Sequence, residues 1–357
     1  MSTPLLPLLL DRIAADGPMN VAEYMATCLL HPEFGYYTTA TPFGREGDFI
    51  TAPEISQMFG ELVGLCLAQA WMDQGCPSPF TLAELGPGRG TLMADLLRAT
   101  RAVPGFQAAA QIALVELSPP LRSAQATALQ GYSPAWHDSV DALPERPLFL
   151  IANEFFDALP IRQFIRAGDG WCERRIGAHA DDLIFGLTDP AAQPALVQRM
   201  SDTKDGDLVE LCTAATPIIS ALARRIASHG GAALVVDYGD WRSLGDTLQA
   251  MHAHKSTDIL GNPGEADLTA HVDFEALADA VTAAGCDHSR LTPQGVFLER
   301  LGITTRAQSL ARTLRGEAEE NLIAAHRRLT HPAEMGNLFK VLGLYPNNAA
   351  PPPGLEP

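Results

Sequence analysis

Residues 80–92 read FTLAELGPGRGTL. An apolar run with an acid near its end meets Gly86, Gly88 and Gly90, and a helical pattern follows. Glycines without Cβ atoms let the backbone approach a bulky ligand closely. A dinucleotide turn, G-x-G-x-x-G, would place its third glycine at position 91, which is Thr91 here. Glu84 stands two residues before the first glycine. A carboxylate there repels a phosphate and suits a cationic amino group, so the turn reads as one for a ligand with a positive end.

The pattern [D/E]-x-G-x-G-x-G resembles the first motif of class I S-adenosylmethionine (SAM)-dependent methyltransferases. On that reading Glu84, Gly86, Gly88 and Gly90 are candidate cofactor contacts. The next strand, QIALVEL (111–117), ends in Glu116 and Leu117. An acid ending the second strand can accept both hydroxyls of a ribose, a role shared by SAM and NAD enzymes. Asp138, in AWHDSV (135–140), follows a short third strand. It either holds an adenine amino group or caps a helix.

FLIANEFFDALP (149–160) runs a buried strand into Asn153, Glu154 and Asp157. In an open α/β sheet, ligands bind beyond the carboxyl ends of the strands. This strand should lie beside the glycine strand, and its acids should face the reacting methyl group. Methyl transfer demands alignment of the acceptor lone pair, and the acceptor must lose a proton. Carboxylates would pair with a guanidinium in forked geometry and offset its repulsion from a sulfonium. Glu154 is the first candidate catalytic residue, with Asp157 and Asn153 beside it; a helix cap and a solvated acid are the plain alternatives. GDFITAPEIS (47–56) places Thr51 before a helix whose N-terminus would meet the cofactor carboxylate, and Thr51 with Glu54 also reads as a capping box.

Around these motifs strands alternate with helices, which argues for a parallel sheet covered on both faces. Helical spacing marks 5–30 and 53–72, with further helices at 91–101, 119–129, 208–229, 273–284 and 295–330. Strands are expected at 80–85, 111–117, 147–153, 231–239, near 289–293 and at 335–345. Alternation around Gly and Asp turns at 162–188 predicts an antiparallel insertion, and 240–271 reads as a long loop. The expected division is a helical cap and leader over 1–78, then a core over 79–345 with insertions at about 162–190 and 240–330. A disordered tail is expected over 346–357.

The net charge of −17 disfavours nucleic acid as a partner and suits Arg- or Lys-rich protein segments. No run of apolar residues is long enough to span a membrane. The six cysteines are scattered without C-x-x-C spacing, which points to a reducing compartment. His252 and His254 lack a third ligand nearby, so no metal is expected. Asp237 and Tyr238, ending the fifth strand, are candidates to line an acceptor pocket, and His271 to cap or line the site.

ELGPGRGTL (84–92), VELSPPLR (115–122), NEFFDALP (153–160), VVDYG (235–239), GEADLTAHVDF (264–274) and MGNLFKVL (335–342) together resemble the MidA-like family of class I methyltransferases. The leader at 35–61 fits as well, so the likeness covers about residues 5–345. The resemblance implies a Rossmann-like α/β core of seven strands with a helical N-terminal cap, and SAM as cofactor. Mitochondrial members of the family are complex I assembly factors described as protein arginine methyltransferases. The resemblance carries Gly86, Gly88, Gly90 and Glu116 over as SAM contacts. The expected activity is therefore methylation of an exposed arginine on a protein such as a complex I subunit. A cytoplasmic bacterial setting is expected, because no transit-type leader opens the sequence, and a homodimer is one assembly considered. The alternatives are a SAM-binding assembly chaperone without essential catalysis and, further off, an NAD-dependent oxidoreductase.

Overall fold

The computed structural model describes residues 3–39, 51–253 and 255–357. Seven strands build the central sheet: β1 (Phe80–Leu85), β2 (Ala110–Val115), β3 (Ala135–His137), β4 (Leu148–Asn153), β5 (Gly231–Asp240), β6 (Asp287–His288) and β7 (Phe339–Tyr345). Their spatial order is β3-β2-β1-β4-β5-β7-β6. The first five run parallel, and β7 is antiparallel to both its neighbours. Two short pieces, Val272–Asp273 and Thr292–Pro293, extend β5 and β7.

The sheet is apolar on both faces because each face carries a helical layer. Side chains alternate across a strand, and here they alternate between two cores. Phe149 and Ile151 of β4 join one cluster, with helices α1 (Gln57–Asp73) and α2 (Thr91–Thr100). Leu148, Leu150 and Ala152 join the other, with α3 (Ala215–His229) and α4 (Phe274–Ala283). All residues of β1 and β4 are buried, so these two strands form the middle of the molecule. The glycine turn and the NEFFD stretch leave it side by side.

Two smaller sheets roof the carboxyl ends of these strands. The insertion pairs Arg162–Ala167, Gly170–His179, Asp182–Leu187 and Leu208–Leu211 antiparallel. Met19–Asn20, from the N-terminal cap, joins the same sheet through Ile176 and Arg175. The third sheet joins Gln249–His252 to Lys255–Thr257 and Asp267–Thr269.

Several sequence expectations change. The stretch 240–271 holds that third sheet, because strands of three or four residues gain their order from pairing rather than from visible periodicity. The helix expected over 208–229 begins at Ala215, and Leu208–Leu211 is a strand instead. Glu210 is drawn into the roof, where it accepts from Gln163 Nε2 at 2.7 Å and from Thr247 N at 3.0 Å. The helix over 53–72 is broken at Ser56, whose hydroxyl caps α1 by accepting from Met58 N at 3.2 Å. The tail 346–357 is packed, not disordered: Leu355 is buried against β7, Arg290 N donates to the Glu356 carbonyl, and Arg300 pairs with Glu356.

Candidate active site

Gly86, Gly88 and Gly90 all adopt positive φ (56°, 53° and 83°), a backbone state that L side chains rarely take. A Cβ on Gly86 would lie 3.1 Å from the Phe155 ring, and one on Gly90 would lie 3.3 Å from Gln125 Cα. Gly90 starts α2 without a side chain to cap it. Glu84 supplies that cap by accepting from the Met93 N–H, while burial pushes its carboxyl up to about 8. Its second oxygen is buried with no hydrogen-bond partner.

Beyond β2, Glu116 accepts from Ser118 N at 2.8 Å and from Gln125 Nε2 at 3.2 Å, and burial raises its pKa. The same Gln125 amide donates to the Gly88 carbonyl at 2.8 Å and accepts from Trp136 Nε1 at 2.8 Å. One buried side chain thus ties the glycine turn to β2 and β3. Asp138 is mostly exposed and pairs with Arg122 at 2.5 Å. Leu117 offers an exposed apolar surface beside it.

Beyond β4, the chain turns sharply. Glu154 takes φ +51°. Its N–H still bonds the Val236 carbonyl at 2.9 Å, as if the strand continued. Asp237 Oδ2 then gathers the N–H groups of Phe155, Phe156 and Asp157 at 3.2, 2.9 and 3.3 Å. Glu154 Oε1 accepts from Ala52 N and from Asn153 Nδ2, both at 3.1 Å. Burial pushes the Glu154 carboxyl up to about 7 against these bonds. Asp157 and Asp237 are raised too, first by burial and then by the neighbouring acids.

A cavity of about 660 Å³ brings most of these groups together. Its walls include Gly86, Gly88, Glu116, Leu117, Asp138 and Glu154. Glu84, on β1, and Gly90, in the turn, stand outside this wall, and Asn153 stands beside Glu154. Asp157 is also outside it, with its carboxyl bonded to the Tyr238 hydroxyl and Oδ1 unpartnered. Thr51 is not on the wall, and no capping box forms. Glu54 instead accepts from Thr91 Oγ1 at 2.6 Å, and the N–H beyond Thr51 goes to Glu154. Asp237 and Tyr238 also lie off the cavity, Asp237 because its oxygens are spent on the loop backbone. His271 packs edge-on to Tyr238 at 5.3 Å, on a separate smaller cleft. Asp48 and His254 lie outside the described residues.

The sequence did not point to Gln125, to Phe155 as the wall facing Gly86, or to Tyr37 on the cavity. Gln125 resembles any polar residue on an amphipathic helix. Phe155 had a signal in its position next to Glu154.

The Methyltransf_28 family of S-adenosyl-L-methionine-dependent methyltransferases matches residues 62–292. The chain belongs to this family. It is 37% identical over 374 residues to the mitochondrial protein arginine methyltransferase NDUFAF7 of Xenopus laevis, covering 96% of this chain and 85% of that one. The Homo sapiens protein of the same name is 36% identical over 373 residues, covering 97% and 84%. A crystal structure from Burkholderia thailandensis, bound to S-adenosyl-homocysteine, aligns with a TM-score of 0.83 at 31% identity over 96% of this chain and 91% of that one. This methyltransferase therefore uses SAM. Its own residues fit that cofactor: a Cβ-free turn, the Glu116 carboxylate just beyond β2 and an orphaned, buried Glu84 oxygen suited to an amino group. Among the described residues, no helix is long and apolar enough to cross a membrane.

Proposed function

We propose that the protein methylates an arginine side chain of a protein substrate. The observation that carries this is the Glu154 carboxylate, held on the wall of the cofactor cavity at the end of the strand next to the glycine turn. Bound SAM supplies an electrophilic methyl group on a positively charged sulfur. Glu154 draws the guanidinium in by charge-assisted hydrogen bonds and orients one nitrogen. It then receives the proton that this nitrogen must lose. A carboxyl raised to about 7 suits that task, because a base works best with a pKa near the working pH. Asp157 and Asp237 are buried beside it with raised pKa values, and an entering cation favours the ionised form of these acids. Relatives named as protein arginine methyltransferases support the same acceptor.

A respiratory complex I subunit as substrate, with methylation aiding assembly, belongs to this proposal through the family likeness. A homodimeric, cytoplasmic bacterial enzyme is the setting proposed, although the relatives are named as mitochondrial. The rival reading is a SAM-binding chaperone whose catalysis is dispensable. Labelled SAM, added to lysate of cells lacking the protein, tests both. Purified protein should place label on arginine of one or few proteins, and Glu154→Gln should abolish it. Label on lysine or on a small metabolite overturns the arginine reading. Cells complemented fully by Glu154→Gln would favour the chaperone.

A further inference from the structure

The wall of the cofactor cavity has two origins. Gly86, Gly88, Glu116 and Asp138 lie just beyond β1, β2 and β3 and bring its polar groups. Another part is built by Ala26, Leu29 and Leu30 of the cap helix Val21–Leu30 and by Pro160, which follows β4. The Ile161 N–H donates to Met25 Sδ at 3.5 Å, which holds that helix against the loop that begins at Glu154. This part of the wall therefore stands on the Glu154 side of the cavity. None of its four side chains carries a charge or a polar atom. Thr38, also on the wall, directs its hydroxyl to the His31 carbonyl at 2.7 Å.

Leu29 is 2% exposed and Leu30 48%, so this apolar wall runs from the interior out to solvent. Apolar surface gains free energy when it is removed from water. The candidate partners of the cofactor's amino, ribose and adenine groups lie on or just beyond β1, β2 and β3, which leaves this surface to the second substrate. An arginine that reaches Glu154 brings its own chain to the mouth where Leu30 lies. In an extended chain, side chains two positions apart point to the same side. We propose that the wall of Ala26, Leu29, Leu30 and Pro160 receives an apolar side chain two positions from the methylated arginine. The net charge of −17 draws cationic chains at long range, and the wall chooses among them at contact. The inference rests on the arginine reading and deepens it: the substrate is an arginine with apolar neighbours, not a basic segment.

Methyl transfer from labelled SAM by the full chain tests this on three acetylated, amidated peptides: Gly-Leu-Ala-Arg-Ala-Leu-Gly, the same peptide with asparagine at both leucine positions, and the same with lysine. Asparagine keeps the shape of leucine and removes its apolar character. The leucine peptide should exceed both others in kcat/KM by about tenfold. Leu30→Asn should cut that preference by about threefold or more while S-adenosyl-homocysteine affinity, read by calorimetry, holds within about twofold. Equal transfer to all three peptides, or preference for the lysine peptide, overturns the inference and leaves the arginine reading standing. An equal loss of S-adenosyl-homocysteine affinity in Leu30→Asn also overturns it, because the wall would then serve the cofactor. Transfer to none of the three by protein that still binds S-adenosyl-homocysteine sinks the arginine reading and this inference together.

Discussion

Glu154 sits in the left-handed region, which costs a non-glycine residue about 1–2 kcal/mol. The strain persists because Asp237 and the Val236 carbonyl fix the backbone on either side. The return is a carboxylate aimed into the cavity instead of along the strand. Replacing Glu154 with Gln keeps that shape and removes the base, so turnover should fall by about 10²–10⁴-fold while S-adenosyl-homocysteine affinity, read by calorimetry, stays near the original. In the unaltered enzyme kcat should decline as pH drops below about 7, because Glu154 then holds its proton; a rate flat down to about pH 5 would contradict this. Gly86→Ala combines strain at φ +56° with a Cβ at 3.1 Å from Phe155. It should weaken S-adenosyl-homocysteine binding by about tenfold, from about 1–2 kcal/mol of strain. At this scale the sequence exposed the acids that end strands, since polar groups after apolar runs stand out. It concealed Asp237 as a loop anchor, because three backbone N–H groups converge on it only once the turn exists.

Helices α1 and α2 meet through glycine. A Cβ on Gly64 would lie 2.9 Å from Leu96 Cα, and one on Gly60 would lie 2.8 Å from Asp95 Cβ. Gly64→Val should therefore separate the helices and lower stability by about 1–3 kcal/mol in denaturant unfolding. Since α2 carries the glycine turn at its start, cofactor affinity should drop with it. The long, strongly periodic elements were legible: β1, β4, β5 and the helices between them have runs that fit only one period. The roof was not. LVEL (208–211) suits a helix or a strand equally, and the sheet over 249–269 is assembled from pieces too short to show alternation. The tail misled because its prolines and asparagines suggest an unpacked end, whereas Pro352 and Leu355 close over Gly343 of β7.

Taken whole, the molecule holds several interior acids whose pKa values burial raises. Glu84 and Glu154 have folded pKa values raised to about 8 and about 7 from 4.5. A group raised on folding stabilises below its unfolded pKa, and that contribution is lost as pH climbs through the folded value. Acids lowered by arginine partners, such as Glu61, are ionised throughout this window and do not oppose the trend. The ligand-free protein should therefore melt at a lower temperature at about pH 8.5 than at about pH 5.5, and Glu84→Gln should flatten part of that slope. The pairing of Met19–Asn20 with Arg175–Ile176 has a consequence for synthesis on the ribosome. The N-terminal helices Leu5–Asp16 and Val21–Leu30 pack their apolar faces in one cluster with Ile176 and Leu183, so that cluster is completed only when the insertion has been translated. A nascent chain halted before Arg175 would hold the glycine turn while the segment that supplies Leu29 and Leu30 to the cavity wall still lacks its strand partner, so the finished cavity arrives late in synthesis.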